Sequence, residues 1–383
     1  MTTAETLVRT LKKELRPSLK EKKRAQQRFV SLKKVIPKKE AEVVLGGSVA
    51  KGTQLKGPCD IDVFVRFFDA TNCSDRLETF LKRSFNGVKR LHGSRDYFQV
   101  GPVEVIPVKY VNTEQEKENI TDLSPLHTSF VNKNLTVSQK DDVRVAKKFF
   151  KAQKLYGAES YLLGFSGYVT ELLIAHYGSF LALLKAASAW ERKTSIEFSK
   201  TKAAHQFQEP LVIVDPVQED RNAAAAVSLE KKLLFSAKAK EFLAKPSKAF
   251  FVVKRMKPEG VILRVSPLAE KKDVAGAKLL QVYKKICGEL REFHVVKSDW
   301  NFSQMYFLCE QKKLSSEEII RGPPQFSAVH ASAFRKKHAN VFEKEGFLYA
   351  KEKRIHSTPL QKITFVLKTT YVTDRVRSIQ VKP

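Results

Sequence analysis

The sequence has few cysteines and lacks any long apolar run. Its four cysteines, Cys59, Cys73, Cys287 and Cys309, do not have the Cys-x-x-Cys spacing of a zinc site. No apolar run approaches the roughly 20 residues that a membrane-spanning helix needs. The first nine residues do not have the pattern of a signal peptide. These absences argue against structural zinc and a membrane span, and they favour a reducing, cytoplasmic compartment.

Acidic residues are also scarce relative to basic ones. Lysine and arginine number 69 against 41 aspartates and glutamates, so the 383-residue chain has a formal net charge of +28. Such a surplus repels itself and is not needed for folding, so its usual use is to bind a polyanion such as RNA or DNA. An anionic membrane surface would also suit this charge. With 43% hydrophobic residues, the chain is long enough for two to four domains.

The pattern of hydrophobic residues predicts an α+β multidomain protein. After a basic helical segment over 1–40, strands are expected at about 41–46, 60–68 and 98–109. The run over 161–190 is apolar almost all round, which predicts a helix pair packed inside a helical domain.

Further strands are expected in the second half of the chain. Residues 210–214 are typical of a buried strand, and the polar residues 215–222 that follow predict a loop. From residue 249 onward, short strands alternate around an amphipathic helix near 269–291, in a region rich in basic and aromatic residues.

A glycine turn followed by two aspartates is the most informative motif. Gly46-Gly47-Ser48 ends one predicted strand, and Asp60-Ile61-Asp62 begins the next. Because side chains alternate along a strand, Asp60 and Asp62 are expected on one face. Two adjacent carboxylates repel each other unless a cation lies between them. Glycines let the backbone approach a ligand, and Ser48 offers a hydroxyl to phosphate oxygens. The motif therefore predicts Mg²⁺-assisted phosphate chemistry.

This combination resembles the signature of the DNA polymerase β-type nucleotidyltransferases. Further blocks make the chain similar to one family, the archaeal class I CCA-adding enzymes, or tRNA nucleotidyltransferases. The blocks are Tyr156-Gly157-Ala158-Glu159, Gly164-Phe165-Ser166-Gly167-Tyr168, Glu171-Leu172-Leu173, and Val214-Asp215-Pro216-Val217 with Arg221-Asn222.

The resemblance implies template-independent addition of C, C and A to the 3′ end of tRNA, from CTP and ATP. It also implies a polymerase β-like nucleotidyltransferase head over 1–137 and a helical neck with a base-recognition loop over 138–248. Residues 249–383 would form an α+β body with a short tail that binds tRNA.

The resemblance also implies the site residues. Asp60, Asp62 and Glu104 would be catalytic and would hold Mg²⁺ in a two-metal mechanism. Glu104 stands where the family usually has aspartate. The matching nucleotide-binding positions are Gly47, Ser48, Lys51, Ser124, His127, Lys147, Tyr156 and Arg221.

Several of these positions have simpler interpretations. Lys147 and Lys151 are four residues apart, which by itself is more typical of a solvated helix face. Arg221 has planar donors suited to a base edge, and it also has Asp215 and Asp220 nearby as salt-bridge partners.

Two other functions fit the catalytic motif alone. One is another RNA-tailing activity of the poly(A) or oligoadenylate type, and the other is a non-catalytic RNA-binding relative. No membrane partner is expected, and the sequence leaves open whether the protein forms a homodimer.

Overall fold

The computed structural model describes residues 2–92, 95–199 and 203–382. The chain divides into two compact units, Met1–Lys254 and Arg255–Pro383. The finer division at residues 137/138 and 248/249 stays a prediction.

A mixed five-stranded sheet forms the first part of unit 1, in the order β1-β2-β5-β4-β3. Its strands are β1 (Ala41–Leu45), β2 (Ile61–Phe67), β3 (Lys89–Leu91), β4 (Tyr97–Val100) and β5 (Val103–Lys109). The helices of this part are α1 (Thr3–Glu14), α2 (Leu19–Val35), α3 (Gly47–Lys51) and α4 (Cys73–Ser84). The buried sides of β1, β2 and β5 form one core with α2 and α4.

The prediction of a single strand over 98–109 is wrong. The chain turns back at Gly101 and Pro102, so that β4 and β5 pair as an antiparallel hairpin. Gly101 has φ +59°, a conformation that glycine adopts without steric cost, and Pro102 has no N–H to give to a ladder. As a result β5 lies parallel to β2, with Asp62 opposite Glu104.

Helices dominate the rest of unit 1. They are α5 (Ser124–Asn134), α6 (Val137–Ala152), α7 (Gly167–Tyr177), α8 (Phe180–Ser188) and α9 (Leu229–Ala244). A three-stranded sheet lies among them, formed by β6 (Thr194–Ile196), β7 (Leu211–Asp215) and β8 (Gln218–Asn222). The predicted loop over 215–222 is therefore wrong for its second half, because β8 folds back onto β7 through a tight turn.

The apolar run over 161–190 contributes α7 and α8 to a phenylalanine-rich core. Phe149 lies at its centre, with Phe180 at 5.6 Å and Phe251 at 5.7 Å between ring centroids. Leu172, Leu173 and other apolar residues of α7 are fully buried there. Within the described residues, no single helix is long and apolar enough to cross a membrane. Only α7 and α8 taken together pass such a test, and they are bent by 90°.

Unit 2 contains two antiparallel sheets. Its strands are β9 (Val261–Ser266), β10 (Val295–Trp300), β11 (Gln304–Cys309), β12 (Glu317–Pro324), β13 (Val341–Lys344), β14 (Phe347–Lys353) and β15 (Ser378–Val381). Its helices are α10 (Lys272–Glu289), α11 (Ala328–Lys337), α12 (Pro359–Val366) and α13 (Thr370–Thr373). The sheet in the order β10-β11-β9-β15 shares a core with α10 and α12, and the other sheet has the order β12-β14-β13.

Candidate active site and nucleotide pocket

Three carboxylates lie at one edge of the first sheet. Asp62 and Glu104 are directly opposite each other on the parallel strands β2 and β5, and exposed Asp60 comes just before β2. In-register neighbours of a parallel pair point to the same side of the sheet, so the carboxylates of Asp62 and Glu104 share one face. The structure thus places together the three residues that the sequence predicts as catalytic.

The ionisation of these groups reflects their crowding. Burial raises the pKa of Asp62, and the negative charge of Asp60 raises it further, while Lys51 opposes the rise. The pKa of Glu104 is raised by burial and by both aspartates. Gathering these charges costs free energy that a divalent cation would offset.

Carboxylate oxygens are the donors that Mg²⁺ prefers, so the chemistry of this set fits the ion. Among residues 2–92, 95–199 and 203–382, no three His, Cys, Asp or Glu side chains already converge on a point that could hold one ion.

The glycine turn packs directly against Asp62. Gly46 donates its N–H to the backbone oxygen of Asp62 at 2.8 Å. A Cβ added to Gly47, which has φ +57°, would lie 1.6 Å from Asp62 Oδ2, and one added to Gly46 would lie 2.1 Å from the ring of Phe64. No side chain larger than hydrogen fits at either position unless its neighbours move. Ser48 follows in the first turn of α3 and is partly buried.

A cavity of about 310 Å³ opens beside this turn. Five of the predicted nucleotide-binding residues line it together with five residues that the sequence analysis did not predict to bind the nucleotide. The full lining is Gly47, Lys51, Phe64, Ile120, Thr121, Ser124, His127, Thr128, Tyr168 and Arg221. The cavity thus joins the glycine turn, the start of α5, the first turn of α7 and the hairpin strand β8.

Asp215 organises one wall of the cavity. It is fully buried at the end of β7, where its Oδ2 forms an ion pair with Arg221 and lies 3.1 Å from His127 Nε2, outside hydrogen-bond geometry. Its Oδ1 accepts hydrogen bonds from the Tyr168 hydroxyl at 3.1 Å and from the Val217 N–H at 3.0 Å. Burial alone would raise the pKa of Asp215, but His127, Val217 and Arg221 outweigh it and lower that pKa. The aspartate therefore remains charged and fixes the Arg221 guanidinium.

Glu171 organises a second group of charged residues next to the cavity. It lies on the inner face of α7 and is 1% exposed. Its Oε2 accepts from Lys51 Nζ at 2.9 Å, and its Oε1 accepts from Lys147 Nζ at 3.0 Å and from the Thr53 hydroxyl. Burial would raise the pKa of Glu171, but the two ammonium groups lower it to about 2. Burial lowers the pKa of Lys147, and Glu171 opposes that change.

Three predicted nucleotide-binding residues, Ser48, Lys147 and Tyr156, do not line the cavity. The side chain of Lys147 is only 4% exposed and lies behind Glu171. The ring of Tyr156 has Lys151 Nζ 5.0 Å from its centroid, and its hydroxyl packs against Gly167. Burial, with Glu171 and Glu159, raises the pKa of Tyr156 to about 12, so this phenol is neutral at physiological pH. Lys147 thus lies behind Glu171, and Tyr156 lies against the start of α7.

The sequence did not assign roles to Tyr168, Glu171 or Thr53, although the structure places all three at or next to the cavity. The first two fall inside the blocks that carry the family resemblance. The only further signal was a glutamate within an otherwise apolar helix, which is a costly position for a charge without partners.

Two domain models match this chain. A nucleotidyltransferase domain model matches residues 23–149, and a model of the second domain of tRNA nucleotidyltransferase matches residues 141–252. The CCA-adding enzyme of Saccharolobus shibatae is 33% identical over 93% of this chain and 91% of its own length. That of Pyrobaculum neutrophilum is 35% identical over 75% of this chain and 73% of its own length. That of Nanoarchaeum equitans is 33% identical over 80% and 83% respectively.

Solved structures show the same fold at low sequence identity. A cytoplasmic RNA terminal U-transferase aligns with a TM-score of 0.52 and 16% identity, over 66% of this chain and 98% of its own. The Cid1 poly(U) polymerase in a structure with Mg and 3′-dATP aligns with a TM-score of 0.51 and 15% identity, over 65% and 98%. These alignments and the domain model confirm the predicted α+β fold class with its polymerase β-like nucleotidyltransferase head.

Proposed function

The chain belongs to the archaeal CCA-adding enzyme family, and from this premise we propose that it adds C, C and A to the 3′ end of tRNA in the cytoplasm, without a template, from CTP and ATP. One observation carries the proposal for the site: a cavity lined by Lys51, Ser124, His127 and Arg221 opens at the glycine turn that packs against Asp62.

Asp60, Asp62 and Glu104 would hold two Mg²⁺ ions. When bound, such ions activate the 3′ hydroxyl of the tRNA and stabilise the leaving pyrophosphate. The protein's own part is to hold these carboxylates on a rigid sheet edge, which the parallel register of β2 and β5 provides. The Mg-bound structure of a protein with the same fold supports the use of a divalent ion.

The triphosphate would lie along the glycine turn. Ser48 contributes a hydroxyl there, and Lys51 contributes a positive charge at the cavity wall. Ser124 and His127 face the same cavity from the first turns of α5 and would contact the phosphates or the sugar. Lys147 would support this wall through its bond to Glu171, and Tyr156 through its contact with the start of α7. Phosphoryl transfer depends mainly on such positioning and charge neutralisation.

The base would be recognised by Arg221. Its guanidinium is held by Asp215, whose other oxygen is held by Tyr168. The two interpretations of Arg221, a salt bridge and a base-reading group, are therefore combined in one arrangement: the salt bridge fixes the direction of the remaining donors. A fixed planar donor set can distinguish C and A from U and G by hydrogen bonding to the base edge.

A direct assay tests this function. A tRNA transcript that lacks its 3′ CCA is incubated with Mg²⁺ and each nucleoside triphosphate, singly and together, and a transcript that already ends in CC serves as the matched control. We expect ordered addition of C, C and A to the first transcript and of A alone to the second. Tailing with a single nucleotide would instead indicate another RNA-tailing enzyme, and no incorporation would indicate a non-catalytic relative.

Replacing Arg221 should reduce nucleotide selectivity. In Arg221→Ala we expect the preference for CTP and ATP over UTP and GTP to fall about 10- to 100-fold, the value of one or two charge-assisted hydrogen bonds. The measurement is kcat/KM for each of the four nucleotides on tRNA lacking CCA. Arg83→Ala, which removes an exposed arginine from α4, is the matched control for the change in charge. An unchanged nucleotide profile in Arg221→Ala would remove this residue from the base pocket.

A further inference from the structure

Glu171 brings together groups that are distant in sequence. Its carboxylate joins α7 to Lys51 at the end of α3, to Thr53 just beyond that helix, and to Lys147 in α6. Thr53 is fully buried, and its hydroxyl also accepts from Lys147 Nζ at 3.0 Å. A glutamate in this environment would be strongly destabilised without these partners.

The charges of this cluster do not cancel. Two ammonium groups share one carboxylate, which leaves one positive charge in excess next to the cavity. Lys51 is the member that lines the cavity, and its Nζ lies 5.0 Å from the ring centroid of Tyr168. Lys147 is enclosed on the far side of the carboxylate. The cluster therefore presents one fixed cation to the cavity and holds a second one behind it.

We propose that Glu171 is a positioning residue for the nucleotide, whose carboxylate holds the Lys51 ammonium at the cavity wall and keeps Lys147 charged behind it. This inference rests on the proposed function, because it assigns the triphosphate as the group that Lys51 meets. Without Glu171, the two neighbouring ammonium groups would repel each other, Lys51 would lose its anchor, and buried Lys147 would lose its proton more readily.

Two substitutions separate charge from shape. Glu171→Gln keeps the size of the side chain and removes its charge, whereas Glu171→Asp keeps the charge and shortens the chain. We expect the KM for CTP and ATP to rise about 10- to 100-fold in Glu171→Gln, with a smaller rise in Glu171→Asp and an unchanged KM for tRNA. We also expect the alkaline limb of the kcat/KM profile for the nucleotide to move to lower pH by about one unit in Glu171→Gln. If Glu171→Gln were as active as the parent, or more active than Glu171→Asp, the role would be one of shape and the inference would be wrong.

A double-mutant cycle with Lys51 tests the route of the effect. If Glu171 acts through Lys51, adding Glu171→Gln to Lys51→Met raises the nucleotide KM by a smaller factor than it does in the parent. Equal factors in both backgrounds would show independent contributions and would overturn the inference. Thermal unfolding and tRNA binding report whether each variant is folded. If Glu171→Gln does not fold, Glu171→Asp takes its place in the cycle with Lys51→Met: a raised nucleotide KM that Lys51→Met diminishes supports the inference, and an unchanged KM or equal factors in both backgrounds overturn it.

The inference and the proposed function can fail separately. Addition of CCA by the parent enzyme tests the function. Calorimetric titration with MgATP in the absence of tRNA compares the parent with Glu171→Gln and tests the inference, whatever RNA accepts the nucleotide. Weaker MgATP binding in the variant supports the role of Glu171, and equal binding overturns it.

Discussion

Asp62→Asn is expected to abolish nucleotide incorporation, with kcat lowered by at least about 1,000-fold, because it removes the charge of the innermost of the three carboxylates that would hold Mg²⁺. The substitution keeps the volume of the side chain. In the protein without metal, Asp62 is crowded by Asp60, and its pKa is raised by burial and by that neighbour, so loss of the charge should not weaken the fold. The measurements are single-turnover incorporation, tRNA affinity and the midpoint of thermal unfolding without metal.

The matched control for this variant lies just past the other end of the same strand. Asp69→Asn removes an exposed carboxylate that pairs with Arg76, outside the site. We expect Asp69→Asn to keep full incorporation, and we expect both variants to bind tRNA like the parent. Retained incorporation in Asp62→Asn would contradict the assignment of the carboxylates to metal binding. Lost tRNA affinity in the same variant would show that the substitution acts through the fold.

The three carboxylates at one edge of the first sheet could be predicted from the sequence because the patterns that indicate them are local. The spacing of Asp60 and Asp62 indicates the two-residue period of a strand, and the glycines before them indicate a backbone that comes close to a ligand. Glu104 could also be predicted, because a short sequence pattern around it matches the family's third acidic position. What the sequence did not show was the reversal at Gly101 and Pro102, which makes β5 a separate strand and sets Glu104 opposite Asp62.

The side chains that support the cavity wall could not be predicted because their positions depend on long-range packing. Glu171 and Lys51 are 120 residues apart, and Glu171 and Thr53 are 118 apart. The spacing of Lys147 and Lys151 indicated a solvated face, but Lys147 is buried because α7 brings a carboxylate to it. Likewise, residues 215–222 are polar enough to be read as a loop, although Gln218–Asn222 folds back as a strand and sets Arg221 beside Asp215. The burial of a charged group can be predicted from the sequence only when its partner is known.

Gly47→Ala is expected to lower incorporation about 100-fold or more, although it adds only one methyl group. At this position the Cβ would lie 1.6 Å from Asp62 Oδ2, so either the turn or the carboxylate must move. Asp62 is held by its strand, and Gly46 donates a hydrogen bond to the backbone of Asp62. The glycine turn and the Asp62 carboxylate are therefore both displaced by this clash. A shift of about 1 Å in a catalytic group is enough for a loss of this size. The measurement is kcat/KM for CTP on tRNA lacking CCA.

Backbone strain alone could also weaken this variant, because Gly47 has φ +57°, and Gly87→Ala serves to separate the two effects. Gly87 has φ +70°, but a Cβ added there meets no atom within 4 Å. Each alanine should therefore cost about 1–2 kcal/mol of folding free energy from its left-handed backbone, while only Gly47→Ala should lose activity. Equal activities in the two variants would mean that Gly47 is needed only for its backbone conformation and not for the position of Asp62. A loss confined to Gly47→Ala ties the turn to the position of the Asp62 carboxylate.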